Sequence, residues 1–164
     1  MTSADRAICH TDVQKLVING QADMNILWPT VHEFAEQKYN EAVTEFHIVG
    51  GINPELPFQY YTDILNGLRE RFPKVHLKAF TMVEFDFMAK IIRKPLEWVI
   101  NELVEAGLGS CPGGGAEIFS ERARPLIAGH KISGARWLEV AKTVHQAGVR
   151  SNATMLYGHI ETIP

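Results

Sequence analysis

Cysteine is scarce in this sequence: the 164 residues hold two, Cys9 and Cys111, far apart along the chain. Two thiols so separated make no disulfide framework and fit free thiols in a reducing cytoplasm. A basic block is also missing. Sixteen Lys and Arg stand against nineteen Asp and Glu, a net charge of -3. Neither nucleic acid nor an anionic membrane surface therefore has electrostatic support as a partner. No apolar run reaches the length of a membrane span, because Lys, Arg, Asp or Glu interrupts each one. The first residues lack the basic-then-apolar order of a secretory leader. There is no internal sequence repeat and no fixed-spacing metal motif such as His-Glu-x-x-His. What remains suits one globular domain with a real core, 46% hydrophobic and 21% charged.

What is present is punctuation around short apolar runs. Trp28-Pro-Thr30 reads as a helix start, and Val31, Phe34, Ala35, Tyr39 and Ala42 follow at near-helical spacing. Glu45 to Gly51 reads as a strand, and Phe58 to Phe72 as an amphipathic helix lined by Phe58, Tyr61, Ile64, Leu65, Leu68 and Phe72. Pro73 to Thr81 is a second strand, followed by a short helix over 84–92 that Lys94-Pro95 breaks, and by a second helix ending at Gly107. Leu108 to Cys111 is a third strand, with helices following over 121–127 and 135–147. Val149 to Tyr157 is a fourth strand. Strands starting near residues 45, 75, 108 and 149 give the interval that a βα repeat needs. Right-handed crossovers between them produce either a (β/α) barrel or an open doubly wound sheet. Residues 1–27 carry no assignable pattern, and residues 28–164 form the βα unit.

Ligands in both architectures bind at the C-terminal strand ends. Those ends carry Gly50-Gly51, Thr81 to Glu84, Cys111-Pro-Gly-Gly-Gly-Ala-Glu-Ile-Phe119, and Thr154 to Glu161. Three consecutive glycines let the backbone come close to a ligand or take φ > 0, and Glu117 adds a carboxylate beside them. Two chemistries compete for this site. Glu84, Glu117, His159 and Glu161 are of the types that ligate a divalent metal, with His159 and Glu161 two apart on one strand face. The alternative is an organic ligand, with Glu117 and Asn152 binding its polar groups. Cys111 reads as a buried small hydrophobe, since no base or oxyanion motif flanks it. His32, His130 and His145 are expected at the surface, the tryptophans in packing, and His76 and Lys78 as solvated positions at a strand start.

Several motifs in order carry a resemblance. His47-Ile-Val-Gly-Gly51, Asn53-Pro-Glu-Leu-Pro-Phe58, His76-Leu-Lys-Ala-Phe-Thr81, Pro112-Gly-Gly-Gly-Ala-Glu-Ile-Phe119, Lys131-Ile-Ser133 with Trp137-Leu-Glu139, and Ser151-Asn-Ala-Thr-Met-Leu-Tyr-Gly-His-Ile-Glu-Thr162 resemble the radical S-adenosylmethionine enzymes of futalosine-dependent menaquinone biosynthesis. The flavour is nearer the aminofutalosine-forming branch than the branch making the cyclic dehypoxanthinyl product. Enzymes of deazaflavin cofactor synthesis are more distant kin. The resemblance implies a partial (β/α) barrel, a transferase acting on a small-molecule substrate, and a cytoplasmic location. It also implies S-adenosylmethionine and a 4Fe–4S cluster held by a Cys-x₃-Cys-x₂-Cys loop. One electron from the cluster cleaves S-adenosylmethionine to a 5′-deoxyadenosyl radical, which adds to the enol ether of a carboxyvinyloxy-benzoate. By motif position, Gly50, Gly51, Gly113, Gly114, Gly115, Glu117, Asn152 and Thr154 fall to the S-adenosylmethionine site. Thr81, Glu84, Tyr157 and His159 fall to the substrate. No catalytic residue and no metal ligand is assigned.

One departure is large. No Cys-x₃-Cys-x₂-Cys is present, and four βα strands are about half of a complete barrel. The chain therefore reads as the central part of such an enzyme. It is expected not to hold the cluster, to be inactive alone, and to self-associate through open sheet edges unless another segment covers them. An autonomous divalent-metal α/β enzyme and a non-catalytic nucleoside-binding module are the rival readings.

Overall fold

The computed structural model describes residues 31–160 other than Phe34, Gly50 and His159. The expected helix start at Trp28, the segment 1–27, Cys9 and Glu161 lie outside the described residues. Helical residues 31–33 and 35–38 (α1) lead to β1 (Glu45–Ile48), α2 (Phe58–Arg71) and β2 (His76–Ala79). Then come α3 (Met82–Ile92), α4 (Leu96–Glu105), β3 (Ser110–Cys111), α5 (Arg124–Ala128), α6 (Gly134–Gln146) and β4 (Arg150–Ser151).

The four strands form one sheet in the order β1-β2-β3-β4, every pair parallel. That order decides between the two architectures the sequence allows. A doubly wound sheet reverses its strand order at a switch point so that helices cover both faces. Here the order never reverses, so right-handed crossovers put the helices on one side, as in part of a (β/α) barrel. Burial agrees. Phe46 and Ile48 of β1, Leu77 and Ala79 of β2 and Cys111 of β3 are buried against the helices. The alternating residues Glu45, His47, His76, Lys78, Ser110 and Arg150 face the other way and are exposed or half-buried.

The core lies between the sheet and its helices. Leu65, Leu68, Phe80, Phe85, Met88, Ile100 and Leu103 are almost completely shielded, and each contributes about 1.5–3 kcal/mol by leaving water. The residues expected to line α2 do so, except that Phe58 is half-buried. Buried Asp86 of α3 ties this layer together through Arg136 of α6 at 2.7 Å and Lys90 at 2.6 Å.

Several boundaries differ from expectation: β1 stops at Ile48, short of Gly51, β2 spans only His76–Ala79, and α5 starts at Arg124, three residues late. Helix α3 starts at Met82, two residues early, because Thr81 and Glu84 form a capping box. Strand β3 is only Ser110–Cys111. Strand β4 stops at Ser151 instead of running to Tyr157. After the bond from Asn152 N–H to Cys111 O at 3.3 Å, Thr154 and Leu156 turn their donors to the preceding glycine loop. Residues 152–157 are thus not strand, and His159 and Glu161, expected to share a strand face, lie outside the described residues. His32, expected at the surface, is 5% exposed. Lys78 is likewise tucked in beside Glu45 at 3.7 Å, while His76 is exposed and pairs with Ser110 Oγ at 2.7 Å.

Candidate functional site

Parallel strands bring their C-terminal ends to one edge, so the loops after β2, β3 and β4 meet. After β2, Phe80 takes φ 61 while its ring is buried edge-on against Tyr61 and Phe85. A buried aromatic residue in the left-handed region is uncommon and is held there by its surroundings. The next residues are spoken for. Thr81 N–H and Oγ1 both donate to Glu84 Oε2, at 2.7 and 2.8 Å, and Thr81 Oγ1 accepts from Glu84 N–H. Glu84 is 4% exposed, so its carboxylate serves the start of α3.

The loop after β3 is built through its carbonyls. Gly113 O accepts from Thr154 Oγ1 at 2.7 Å, and Gly114 O from the indole of Trp137 at 3.2 Å. Gly115 O, Ala116 O and Ile118 O all accept from the guanidinium of Arg124. Glu117 O accepts from Leu156 N–H at 2.8 Å. Six consecutive carbonyls thus have donors from β4's extension, α5 and α6. The glycines are explained by the same closeness. A Cβ on Gly113 would stand 2.3 Å from Asn152 O, and one on Gly115 would stand 2.4 Å from the Val83 side chain. Gly115 also has φ +84. The glycines therefore let the loop lie against the ends of β2 and β4.

Glu117 takes φ 51 and pairs with Lys131 at 2.5 Å, both side chains about a quarter exposed. Asn152, Thr154 and Tyr157 are exposed, Tyr157 at 78%. The structure thus brings together Thr81, the three glycines, Glu117, Asn152 and Thr154. Gly51 lies three residues beyond the end of β1, and β2 stands between β1 and β3, which leads into the glycine loop. Gly50 and His159 lie outside the described residues. Arg124 was not singled out by the sequence; nothing in Glu121-Arg-Ala-Arg124 distinguishes the buried arginine from exposed Arg122. Trp137 was read as packing, and its ring is buried, but its N–H also fastens Gly114.

The described residues contain no group of three His, Cys, Asp or Glu placed to hold a metal ion. Of the metal set considered above, Glu84 is capping, Glu117 is paired with Lys131, and His159 and Glu161 lie outside the described residues. Cys111 is fully buried, and burial pushes its thiol up to about 12, the nearby Lys78 opposing. A thiol so shielded and protonated does not fit an iron–sulfur ligand, which must be a thiolate. Among the described residues no helix is long and apolar enough to cross a membrane.

Sheet and strand-end loops define an α/β chain of the (β/α) barrel type, its candidate site at the carboxyl edge. Curated proteins are similar to it in sequence over most of its length, while no family model matches it. Aminodeoxyfutalosine synthase of Thermus thermophilus is 48% identical over 130 residues, 79% of this chain and 35% of that enzyme. Cyclic dehypoxanthine futalosine synthase of Halalkalibacterium halodurans is 40% identical over 119 residues, 73% of this chain and 32% of the relative. A 5-amino-6-(D-ribitylamino)uracil–L-tyrosine 4-hydroxyphenyl transferase of Archaeoglobus fulgidus is 40% identical over 131 residues, 77% and 38%. The chain is a homologue of aminodeoxyfutalosine synthase and related futalosine-pathway enzymes. It spans about a third of the length of the curated relatives it matches.

Proposed function

We propose that this chain supplies the strand-end wall of the active site in a radical S-adenosylmethionine enzyme of the futalosine route to menaquinone. The reaction is the aminofutalosine-forming one, in which a 5′-deoxyadenosyl group derived from S-adenosylmethionine is added to the enol ether of a carboxyvinyloxy-benzoate. One observation carries the reading. The strained strand-end loops, with Phe80 and Glu117 both at positive φ, fall within a stretch 48% identical to an aminodeoxyfutalosine synthase. A match of 130 residues in a chain of 164 cannot leave out residues 80–119. Backbone strain of this kind clusters at binding sites.

Within this reading the chain's residues bind and orient. Glu117 and Asn152 hydrogen-bond the polar groups of S-adenosylmethionine, and Tyr157 covers the aromatic substrate. Thr81, Glu84 and Thr154 act indirectly, by holding the loops. The thiol of Cys111 does not fit the iron–sulfur cluster that this chemistry uses, so the cluster's ligands come from outside the described residues.

The test is a chimera. Residues 31–160 replace the homologous stretch of the Thermus thermophilus synthase, and the product is assayed anaerobically. Formation of the synthase's product is the expected result. A chimera that folds and carries its cluster, yet neither cleaves S-adenosylmethionine nor forms product, would overturn the proposal.

A further inference from the structure

Arg124 is 5% exposed, and its five N–H donors make five hydrogen bonds. Nε donates to Ile132 O at 3.0 Å, and Nη2 to Ile132 O at 2.6 Å and Gly115 O at 3.0 Å. Nη1 donates to Ala116 O and to Ile118 O at 2.8 Å. Every partner is a main-chain carbonyl and none is a carboxylate. A buried cation compensated by peptide dipoles and by the Phe119 ring, 6.0 Å away, with no carboxylate beside it, is a poor device for stability alone, because its desolvation is costly. Its geometry has a different result. The planar fork fixes three carbonyls of the glycine loop and one of the segment before α6 relative to one another. The N–H of each peptide unit lies opposite its carbonyl. Gathering Ala116 O and Ile118 O therefore turns the amides of Glu117 and Phe119 away from the guanidinium. The same clamp supports Glu117 in its left-handed conformation at φ 51.

We infer that Arg124 is a positioning residue. It holds the glycine loop in one conformation and thereby sets where Glu117 and the loop amides meet the ligand. The ligand half of this statement rests on the function proposed above; the loop half does not. A contrast within the molecule sharpens it. Arg69 also gathers carbonyls, those of Pro73, Val75 and Gly107, but at the opposite edge of the sheet where the strands begin. Arg69 is the structural counterpart, and Arg124 the one at the site.

The experiment has three arms. In the full chain, Arg124→Lys keeps the charge but offers at most three donors from a single nitrogen. Amide exchange across 113–119 is expected to speed up by about tenfold or more while β1 and α2 keep their protection. Unchanged loop exchange would overturn the proposal. Should the variant unfold, the wild-type guanidinium decides. Its N–H resonances are expected separately resolved and slow to exchange, and rotationally averaged, fast-exchanging signals would overturn the proposal. In the chimera described above, Arg124→Lys is expected to raise KM for S-adenosylmethionine about tenfold with kcat little changed, the pattern of lost ground-state binding. Arg69→Lys is expected to lower Tm and leave KM alone. Equal effects of the two variants on KM would reduce Arg124 to a structural clamp. An inactive parent chimera would count against the proposed function, while loop exchange still decides the role of Arg124.

Discussion

Single residues at the strand ends divide into those committed to the fold and those left for a ligand. Thr81 and Glu84 belong to the first kind, since both ends of their capping box are made. Thr81→Ala is expected to cost about 0.5–2 kcal/mol, the usual worth of a cap, read as a lower Tm in thermal unfolding. Cys111 is also committed. Its thiol stays protonated at neutral pH because burial raises it. An alkylating reagent at pH 8 is expected to leave Cys111 unmodified until denaturant is added, and rapid native labelling would contradict its burial. Histidines 32 and 47 give the chain a pH dependence with a definite sign. Burial lowers both below the ordinary value, with Arg71 and Lys78 adding to the effect. The folded state then holds fewer protons than the unfolded state below about pH 6.5, so stability is present above that pH and falls as the solution is acidified. The Tm of wild type is expected to fall between pH 7.5 and 5.5, and His47→Gln to fall less over the same interval.

At the scale of elements, the periodic segments were legible in the sequence and the strand ends were not. Helix α2 is found where its apolar spacing puts it, because its buried residues recur on one face. Strands β3 and β4 are two residues each, too short for alternation to mark where pairing stops. Their limits come from tertiary hydrogen bonds such as Asn152 N–H to Cys111 O, which no local pattern encodes. The same holds for the site. Gly113 to Glu117 stand out as a motif, yet the reason for three glycines is contact with Asn152, Thr81 and Val83, far away in sequence. Arg124 was invisible because a buried arginine and an exposed one share a residue type. Between helices, Asp86 of α3 is 1% exposed and held by Arg136 of α6 and by Lys90 of its own helix. Removing Arg136 leaves a buried carboxylate with one cation in place of two. Arg136→Ala is expected to destabilise by about 1–3 kcal/mol, below the full cost of an orphaned buried charge because Lys90 remains and Arg136 is partly exposed. Urea titration with an unchanged m-value would check it.

For the whole molecule, the governing fact is a parallel sheet that winds one way and carries polar groups on the face away from its helices. Parallel sheets ordinarily have both faces covered. Here the second face carries Glu45, His47, His76, Lys78, Ser110 and Arg150, residue types suited to a water-filled or ligand-filled interior. The strand-end loops sit at the rim of this face. The proposed chemistry needs a 4Fe–4S cluster, which takes three thiolates from the protein. The sequence contains two cysteines, one of them Cys111, shielded and protonated within the core. Anaerobic reconstitution of the chain with iron and sulfide should therefore yield no stoichiometric cluster. Iron analysis, low-temperature electron spin resonance of the reduced sample and assay for methionine release from S-adenosylmethionine read the same outcome independently. Because three thiolates exceed the two cysteines of one chain, a 4Fe–4S signal accompanied by methionine release would mean that thiolates are recruited from another molecule. Labelling of Cys111 before and after reconstitution would then show whether Cys111 also leaves the core to join them.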